Sequence, residues 1–571
     1  MAGPWLRFLG VLLLALALTL PASAQPSGPA VDRETVVYAV PDTFRGSLSP
    51  FLALVLDLQS SIFTVDVDFD SQGRPFAQGV EYLPSIRDGT WKVDGERMVL
   101  TWKIRARKWH DGRPVTCGDY VFSHTVARDE QISEGMSRNF IPFISVREAL
   151  GRARKHTNMI ASASCPQGAG GNEVTVTWNA WYPYANWLVV EYGPLPRHIF
   201  EPIYRQSPPA LLRSPGFEAA STIGDGAYRV VEVRKEESLT LQAVPNHSIF
   251  GTPKIKRLIY RHFRGPDEAL SALLEGSIDI VTLGFGITLE RARRLGPEIR
   301  RGNIRLLFSQ DVVTETLAFN LDNPLLQEVR VRRAIAHGIN RTQMVQQLFG
   351  GMQPVAHSYL PRYHIGYTED VQRYPHDPAR ARALLRAAGF AAGPDGIMRS
   401  TDGRRLALEI TTTAGDRTRE RVEDILQEQL RQIGVDLVIV NYPGRVFFSE
   451  IINRRQFKGL AMFGWILGPD QGCLDRYTSD GIPTEANRWQ GRNLTGYRNA
   501  EMDGICREAF RDTDDARQKQ LYSRSARILA RDLPELPLYY RVRMTAVRSG
   551  LQNLSAGANS LTWNAHTWYW R

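Results

Sequence analysis

The chain of 571 residues is 43% apolar and 23% charged, an ordinary globular composition that excludes wholesale disorder. Its formal charge of +10 does not mark a nucleic-acid binder: the arginines are scattered among acids, as in Arg417-Thr418-Arg419-Glu420-Arg421, and no run of five or six like charges occurs. The length excludes a single core, since chains beyond roughly 250–300 residues divide, so two or three lobes are expected.

Arg7, the apolar run from Phe8 to Leu20 and the small residues Ala22-Ser23-Ala24 have the layout of a secretory signal with its cleavage site. The run is too short for a membrane span, which needs about 20 residues, and charges interrupt every later apolar stretch. A soluble, exported mature chain beginning near Gln25 is expected. A lipid anchor is not, because the first cysteine is Cys117. The four cysteines, Cys117, Cys165, Cys473 and Cys506, are too far apart for a CxxC motif; in an oxidising compartment they allow two disulfides with three connectivities. Pairing neighbours, Cys117–Cys165 and Cys473–Cys506, closes loops of moderate length and is the choice adopted among the three.

Strands alternate with helices along the chain, the mark of α/β lobes. Residues 35–40 read as a strand; 97–105 alternate as a half-buried strand, with 173–178 as its partner; 227–244 hold two strands around the turn Lys235-Glu236-Glu237-Ser238. A helix starts at Pro266 and stops at Gly276, and Ile278 to Val281 follow as a buried strand. Asp377-Pro378 starts another helix that ends at Gly389, and Val422, Ile425, Leu426, Leu430 and Ile433 form an apolar helical stripe before Gly434 and the strand 435–440. The Pro- and Ser-rich stretch 202–216 reads as a loop or a crossing between lobes.

Catalytic signatures are missing from the sequence. There is no G-x-S-x-G elbow, no H-E-x-x-H and no phosphate loop, and the pairs Gly224/Gly226 and Gly284/Gly286 lack the third glycine of a dinucleotide site. His110-Asp111 is the most tempting acid–base pair, but Trp109-His110-Asp111-Gly112-Arg113-Pro114 reads as a turn before a helix near 116–127. His357, His364 and His376 lack ligand spacing. No enzyme activity, metal or cofactor is expected.

Five segments in order resemble one family, the extracellular solute-binding proteins of family 5 that serve dipeptide and oligopeptide ABC importers. They are Leu100 to Ser123 (LTWKIRARKWHDGRPVTCGDYVFS), Gly224 to Val230 (GDGAYRV), Ala318 to Pro324 (AFNLDNP) with Val329 to Ile335 and Ile339 to Arg341, Asp377 to Gly389 (DPARARALLRAAG), and Leu536 to Tyr540 (LPLYY). The resemblance implies a periplasmic-binding-protein-like α/β fold of class II (cluster C), with two main lobes joined by a hinge and an extra inserted lobe. Lobe I would combine 25–64, 222–311 and 530–571; lobe II would be the insertion 65–221; lobe III would be 312–529. It implies a periplasmic, monomeric component that binds a peptide or peptide-like solute between lobes and delivers it to a permease in the inner membrane, without nucleic acid. A periplasmic chaperone that binds a polypeptide segment is the alternative, and an exported hydrolase the last.

Candidate ligand contacts are Phe44 and Arg45 in the loop 42–49 and, facing them, Thr411, Thr413, Trp465, Asp470 and Asn493. Phe463-Gly464-Trp465 is similar to the family segment whose tryptophan lines the cavity. In relatives that bind free peptides an aspartate three residues beyond this tryptophan holds the ligand's ammonium group, and Gly468 stands there in this chain. Either Asp470 substitutes through a shifted loop, or the solute is not an ordinary peptide, because a buried ammonium without a counter-charge is strongly disfavoured.

Overall fold

Thr35–Val40 runs parallel to both Arg257–His262 and Ile280–Val281, with the helix Pro266–Glu275 as the crossover into the last of these. Pro266 opens that helix where its missing N–H is harmless, and Gly276 ends it at φ +80°, a conformation that glycine adopts without steric cost. The structure is a computed structural model, and it describes residues 34–41, 56–70, 73–132, 159–191, 193–211, 214, 221–281, 289–468, 472–555 and 560–571. Among these, ten strands form one sheet in the order Asp436–Ile439, Ala407–Thr411, Leu460–Ile466, Ile304–Phe319, Glu535–Arg548, Ile280–Val281, Thr35–Val40, Arg257–His262, Ser238–Ala243, Tyr228–Arg234.

The two longest strands, Ile304–Phe319 and Glu535–Arg548, are antiparallel neighbours in the middle of this sheet. Their register slips between Gln310 and Thr314, opposite Val542 and Tyr540. A slip of this kind bends the pair locally. On one side of it the sheet packs over Val36, Tyr38, Leu239, Leu241, Leu258 and Trp568. On the other it packs over Leu317, Phe319, Leu408, Ile410, Leu460 and Met462, covered by helices. Two of these are Pro378–Ala387, whose Asp377 carboxylate accepts from the Arg380 N–H, and Arg417–Arg431, capped by Asp416 and burying Val422, Leu426 and Leu430. Each cap satisfies N–H groups that the first helical turn leaves without partners.

A second, four-stranded antiparallel sheet has the order Trp91–Asp94, Arg97–Lys103, Glu173–Trp178, Ile160–Ser164. It has its own core, with Trp102, Trp109 and Trp178 fully buried. The partnership of 97–103 with 173–178 is present, and a turn containing Gly168, Gly170 and Gly171 joins Ile160–Ser164 to Glu173–Trp178. The stretch from 202 differs from its reading as a loop. Arg197–Gln206 is a helix running through Pro202, and Pro208–Leu211 is a short second one. Proline forfeits one backbone bond there, and the apolar residues at helical spacing decide the outcome: Ile199, Phe200, Ile203 and Tyr204 pack with Phe122 and Leu195.

Between the two sheets lies a buried ion network. Arg107 donates from Nε to Asp225 (2.6 Å), from Nη2 to Asp66 (3.2 Å) and to the Tyr120 hydroxyl (2.9 Å), and from Nη1 to the Gly79 carbonyl (2.8 Å). The glycines that flank Asp225 are required by close approach. A Cβ on Gly224 would stand 2.1 Å from the Ile62 carbonyl oxygen, and one on Gly226 2.6 Å from the Ile62 carbonyl carbon.

Cys117 is bonded to Cys165 and Cys473 to Cys506, with Cα–Cα distances of 5.7 and 5.5 Å. The bridges span sequence separations of 48 and 33 residues, so each restrains the unfolded chain appreciably. Reduction is expected to lower the unfolding free energy by about 2–4 kcal/mol per bridge, read from urea denaturation with and without reductant. No helix among the described residues is long and apolar enough to cross a membrane.

Candidate functional site

Thr411 closes its strand, which is parallel to both neighbours, and Trp465 lies near the same end of the adjacent strand. Crevices beyond the carboxyl ends of parallel strands are where α/β sheets bind ligands. Register puts Trp465 opposite Thr314, Phe463 opposite Thr316, and Ala461 between Ala318 and Thr411. These side chains share one face, while the alternate residues Leu460 and Met462 enter the main core on the other.

Over that face sits a charged and aromatic cluster. The Trp465 indole Nε1 donates to Glu535 (3.0 Å), whose other oxygen accepts from Arg476 Nη2 (2.6 Å). The Arg476 guanidinium lies 4.4 Å from the Trp465 ring centroid, 4.9 Å from that of Tyr477 and 5.7 Å from that of Tyr359. Arg492 stands 5.2 Å from the Trp465 ring. The Arg476 and Glu535 side chains are each only 4% exposed. Burial pulls the Arg476 pKa below its ordinary value, and the Glu535 carboxylate opposes this. Ala318, Phe463, Trp465, Arg476, Tyr477 and Glu535 close around a gap too small to admit a water molecule.

The polar atoms on and over this sheet face are poorly satisfied. Among the described residues, the hydroxyls of Thr314, Thr316, Thr411 and Tyr477, and Arg476 Nε and Nη1, are buried without a hydrogen-bond partner. Each such group costs about 1–3 kcal/mol, and orphaned donors gathered on one face are what a solute site presents.

The other sequence candidates fall differently. The Thr413 hydroxyl accepts from Arg419 Nη1 (2.9 Å), and Arg419 Nε donates to Glu315 (2.7 Å), which also accepts from Arg541 (2.7 Å). Burial pushes the Glu315 carboxyl up, but Arg541 and Arg419 more than offset this and hold it below its ordinary range. Thr413 therefore belongs to an ion triad, centred on the buried Glu315, beside the site. Asn493 is fully buried and occupied by its turn and by the Thr478 carbonyl. Its Nδ2 donates to the carbonyls of Thr478 and Tyr497, and its Oδ1 accepts from the Tyr497 N–H and the Thr495 hydroxyl. Its capacity is spent on backbone geometry, which leaves none for a solute. Phe44, Arg45 and Asp470 lie outside the described residues.

Arg476 and Glu535 were not among the candidates. The available signal was a glutamate immediately before the apolar run Leu536 to Tyr540, a charge at the start of a strand that must be buried. His110 and Asp111 do not face each other as a dyad. The Gly224 N–H donates to His110 Nδ1 (3.2 Å), its Nε2 meets the Gly226 carbonyl (3.1 Å), and Asp111 pairs with His198 (2.6 Å). Among the described residues, no group of three or more His, Cys, Asp or Glu side chains could hold a metal ion.

Behind Thr411, the Thr412 N–H donates to Asn441 Oδ1 (2.9 Å), and Asn441 Nδ2 donates to Glu423 (2.7 Å). Burial pushes the Glu423 carboxyl up to about 7, more than the Asn441 hydrogen bond lowers it. Because its folded pKa lies above the ordinary 4.5, the native state binds this proton more tightly than the unfolded chain, and stability falls as pH rises from about 4.5 to about 7. Glu423→Gln removes the ionisation. The variant is expected to gain stability relative to the parent across that window and to hold the advantage above it. Melting temperatures between pH 4.5 and 8 check this, and a difference that does not change with pH would contradict it.

Contacts also join the four-stranded region to the helix Ala500–Arg511. Trp181 Nε1 donates to the Phe510 carbonyl (2.8 Å), and Arg511 pairs with Glu96 (2.7 Å).

A sequence model described as bacterial extracellular solute-binding proteins, family 5 Middle, matches residues 81–481. The chain is 24% identical over 504 residues to the oligopeptide-binding protein AppA of Bacillus subtilis (strain 168), covering 85% of this chain and 83% of that protein. It is 24% identical over 565 residues to di/tripeptide-binding protein 2 of Pseudomonas aeruginosa (strain UCBPP-PA14), covering 95% and 94%. The crystal structure of an oligopeptide-binding protein from Thermus thermophilus, complexed with a pentapeptide, aligns with a TM-score of 0.64 at 26% identity, over 94% of this chain and 96% of that one.

Proposed function

The chain belongs to the bacterial extracellular solute-binding proteins of family 5, and from that premise we propose that it captures a peptide or peptide-like solute and hands it to the membrane permease of an ATP-driven importer. The observation that carries this reading is the set of orphaned polar atoms around Trp465, near the carboxyl ends of the parallel strands Ala407–Thr411 and Leu460–Ile466. A solute lying there would meet hydroxyl and guanidinium donors and an aromatic floor, the mixture by which small-molecule sites fix orientation. The protein acts as an exported monomer in the periplasm, after cleavage of its leader near Gln25.

The lobes proposed for this work are 25–64 with 222–311 and 530–571, the insertion 65–221, and 312–529. The slipped register of the two long strands supports a hinge near Gln310 to Thr314, where a small change in bend moves one half of the sheet against the other. Contacts from both sides of the cleft then drive closure, because a ligand shifts a conformational equilibrium only by its differential affinity.

Thermal unfolding with a panel of di- to pentapeptides tests this. A bound peptide stabilises the native state by about 2.7 kcal/mol at a hundred times its Kd. A rise in melting temperature with one or more peptides is expected. No rise with any of them at millimolar concentration would overturn the reading.

A further inference from the structure

Gly224, Asp225 and Gly226 form the segment that seats Asp225 on Arg107, and two imidazoles grip its backbone, one from each region. His110 comes from the four-stranded region. Its Nδ1 accepts from the Gly224 N–H (3.2 Å) and its Nε2 donates to the Gly226 carbonyl (3.1 Å). His247 comes from the connection between two strands of the large sheet, Ser238–Ala243 and Arg257–His262. Its Nδ1 accepts from the N–H groups of Ile249 (3.1 Å) and Phe250 (3.3 Å), and its Nε2 donates to the Asp225 carbonyl (3.0 Å). An imidazole that accepts on one nitrogen and donates from the other is neutral, with its tautomer fixed. Protonation would set a new N–H at each Nδ1 against the backbone N–H groups already there. From this wiring we infer that the joint between the two sheets is an acid-sensitive latch: protonation of His110 and His247 releases the segment 224–226 and frees the four-stranded region from the large sheet while both cores stay folded. The device concerns the joint and is independent of what the chain captures.

The charges that face these rings come from several elements. Asp225 stands near both imidazoles and favours their charged forms, while Arg229 and His247 oppose the charging of His110, and Arg107 that of His247. Asp66 and Tyr120 reach the same cluster through Arg107, and Asp111, beside His110 in the chain, is engaged by His198. His566 adds a third imidazole from the C-terminal segment: its ring centroid lies 4.7 Å from that of Phe250, which in turn lies 4.9 Å from that of His247. Burial is the main influence on all three and outweighs Asp225, so His110 and His247 are held below the ordinary 6.5 and His566 is brought down to about 4. Because these folded values are depressed, the opened state binds the protons more tightly. The joint is therefore fully stabilised above 6.5 and loses this contribution as the pH falls below it.

The test compares the full-length mature protein with the double variant His110→Gln, His247→Asn. Its amides keep a donor toward Gly226 and an acceptor toward Ile249 but do not titrate. Backbone hydrogen exchange, corrected for the intrinsic effect of pH, is followed from pH 7.5 to pH 4.5. In the parent, peptides covering 222–227 and 105–110 are expected to lose protection by about tenfold or more, while Arg97–Lys103 and Arg417–Arg431 keep theirs. In the double variant the loss should shrink to about threefold or less. Asp66 and Asp225 are unchanged there, so a loss of equal size in both proteins assigns the effect to the carboxylates and overturns the inference. Exchange of the histidine C2 hydrogens reads each imidazole separately in the unaltered protein, so misfolding of the variant leaves a result standing. His110 and His247 are expected to titrate below 6.5. Titration of either at or above that value, protection at 222–227 that ignores pH, or its loss in step with both cores would each overturn the inference.

Discussion

Arg107→Met is expected to lower the unfolding free energy by about 3–5 kcal/mol near neutral pH, because it leaves two buried carboxylates without their cation. Asp66 and Asp225 both bond to this guanidinium, whose side chain is fully buried. Burial already raises the Asp66 pKa above 3.8, against the opposing pull of Arg107 and Tyr120. Removing the cation strengthens that upward shift. The folded variant then holds protons that its unfolded chain has released, so its deficit grows as pH rises above the ordinary aspartate range. Urea denaturation at pH 5 and pH 7.5 checks both points. A loss under 1 kcal/mol at the higher pH, or a larger loss at the lower one, would contradict the assignment of this network as the joint between the two sheets.

Trp465→Ala is expected to weaken peptide binding by about 30-fold or more, the loss typical of removing a central aromatic anchor. Two effects combine. The aromatic floor disappears, and Glu535 loses the indole donor, so Arg476 is no longer held between ring and carboxylate. Trp465→Phe separates them, since it keeps the ring and removes the N–H, and it should fall between the parent and the alanine variant. Calorimetric titration of the strongest peptide measures the series. Equal affinity for all three proteins would remove Trp465 from the site.

Local features of the fold were legible because they are encoded within a few residues. Pro266 and Gly276 bracket their helix, Asp377-Pro378 starts the next, and Gly434 separates a helical stripe from a strand. The reading failed at 202–206, where composition suggested a loop and the spacing of Ile199, Phe200, Ile203 and Tyr204 gave an amphipathic helix around a proline. Trp465 and Thr411 could be named as candidates from the sequence, and register places them on one face. Arg476 and Glu535 could not, since their pairing spans 59 residues and leaves no periodic trace. Asn493 illustrates the opposite error. An exposed-looking polar residue in a turn motif is wholly consumed by three hydrogen bonds within its own turn and a fourth to the Thr478 carbonyl.

The fold agrees with the sequence resemblance at the level that decides function. The glycines of Gly224-Asp225-Gly226 pack on Ile62 and place Asp225 on Arg107, which lies in the resembling segment Leu100 to Ser123. That motif is thus a joint of the scaffold. The proposed solute site lies elsewhere, on the face that carries Trp465.

The central claim is capture without conversion, and recovery of bound solute tests it most directly. Protein incubated with the peptide pool, separated by native gel filtration and denatured into a mass spectrometer should yield close to one intact peptide per chain, unchanged after prolonged incubation. Peptide fragments accumulating beyond one equivalent, or no retained peptide at all, would contradict it.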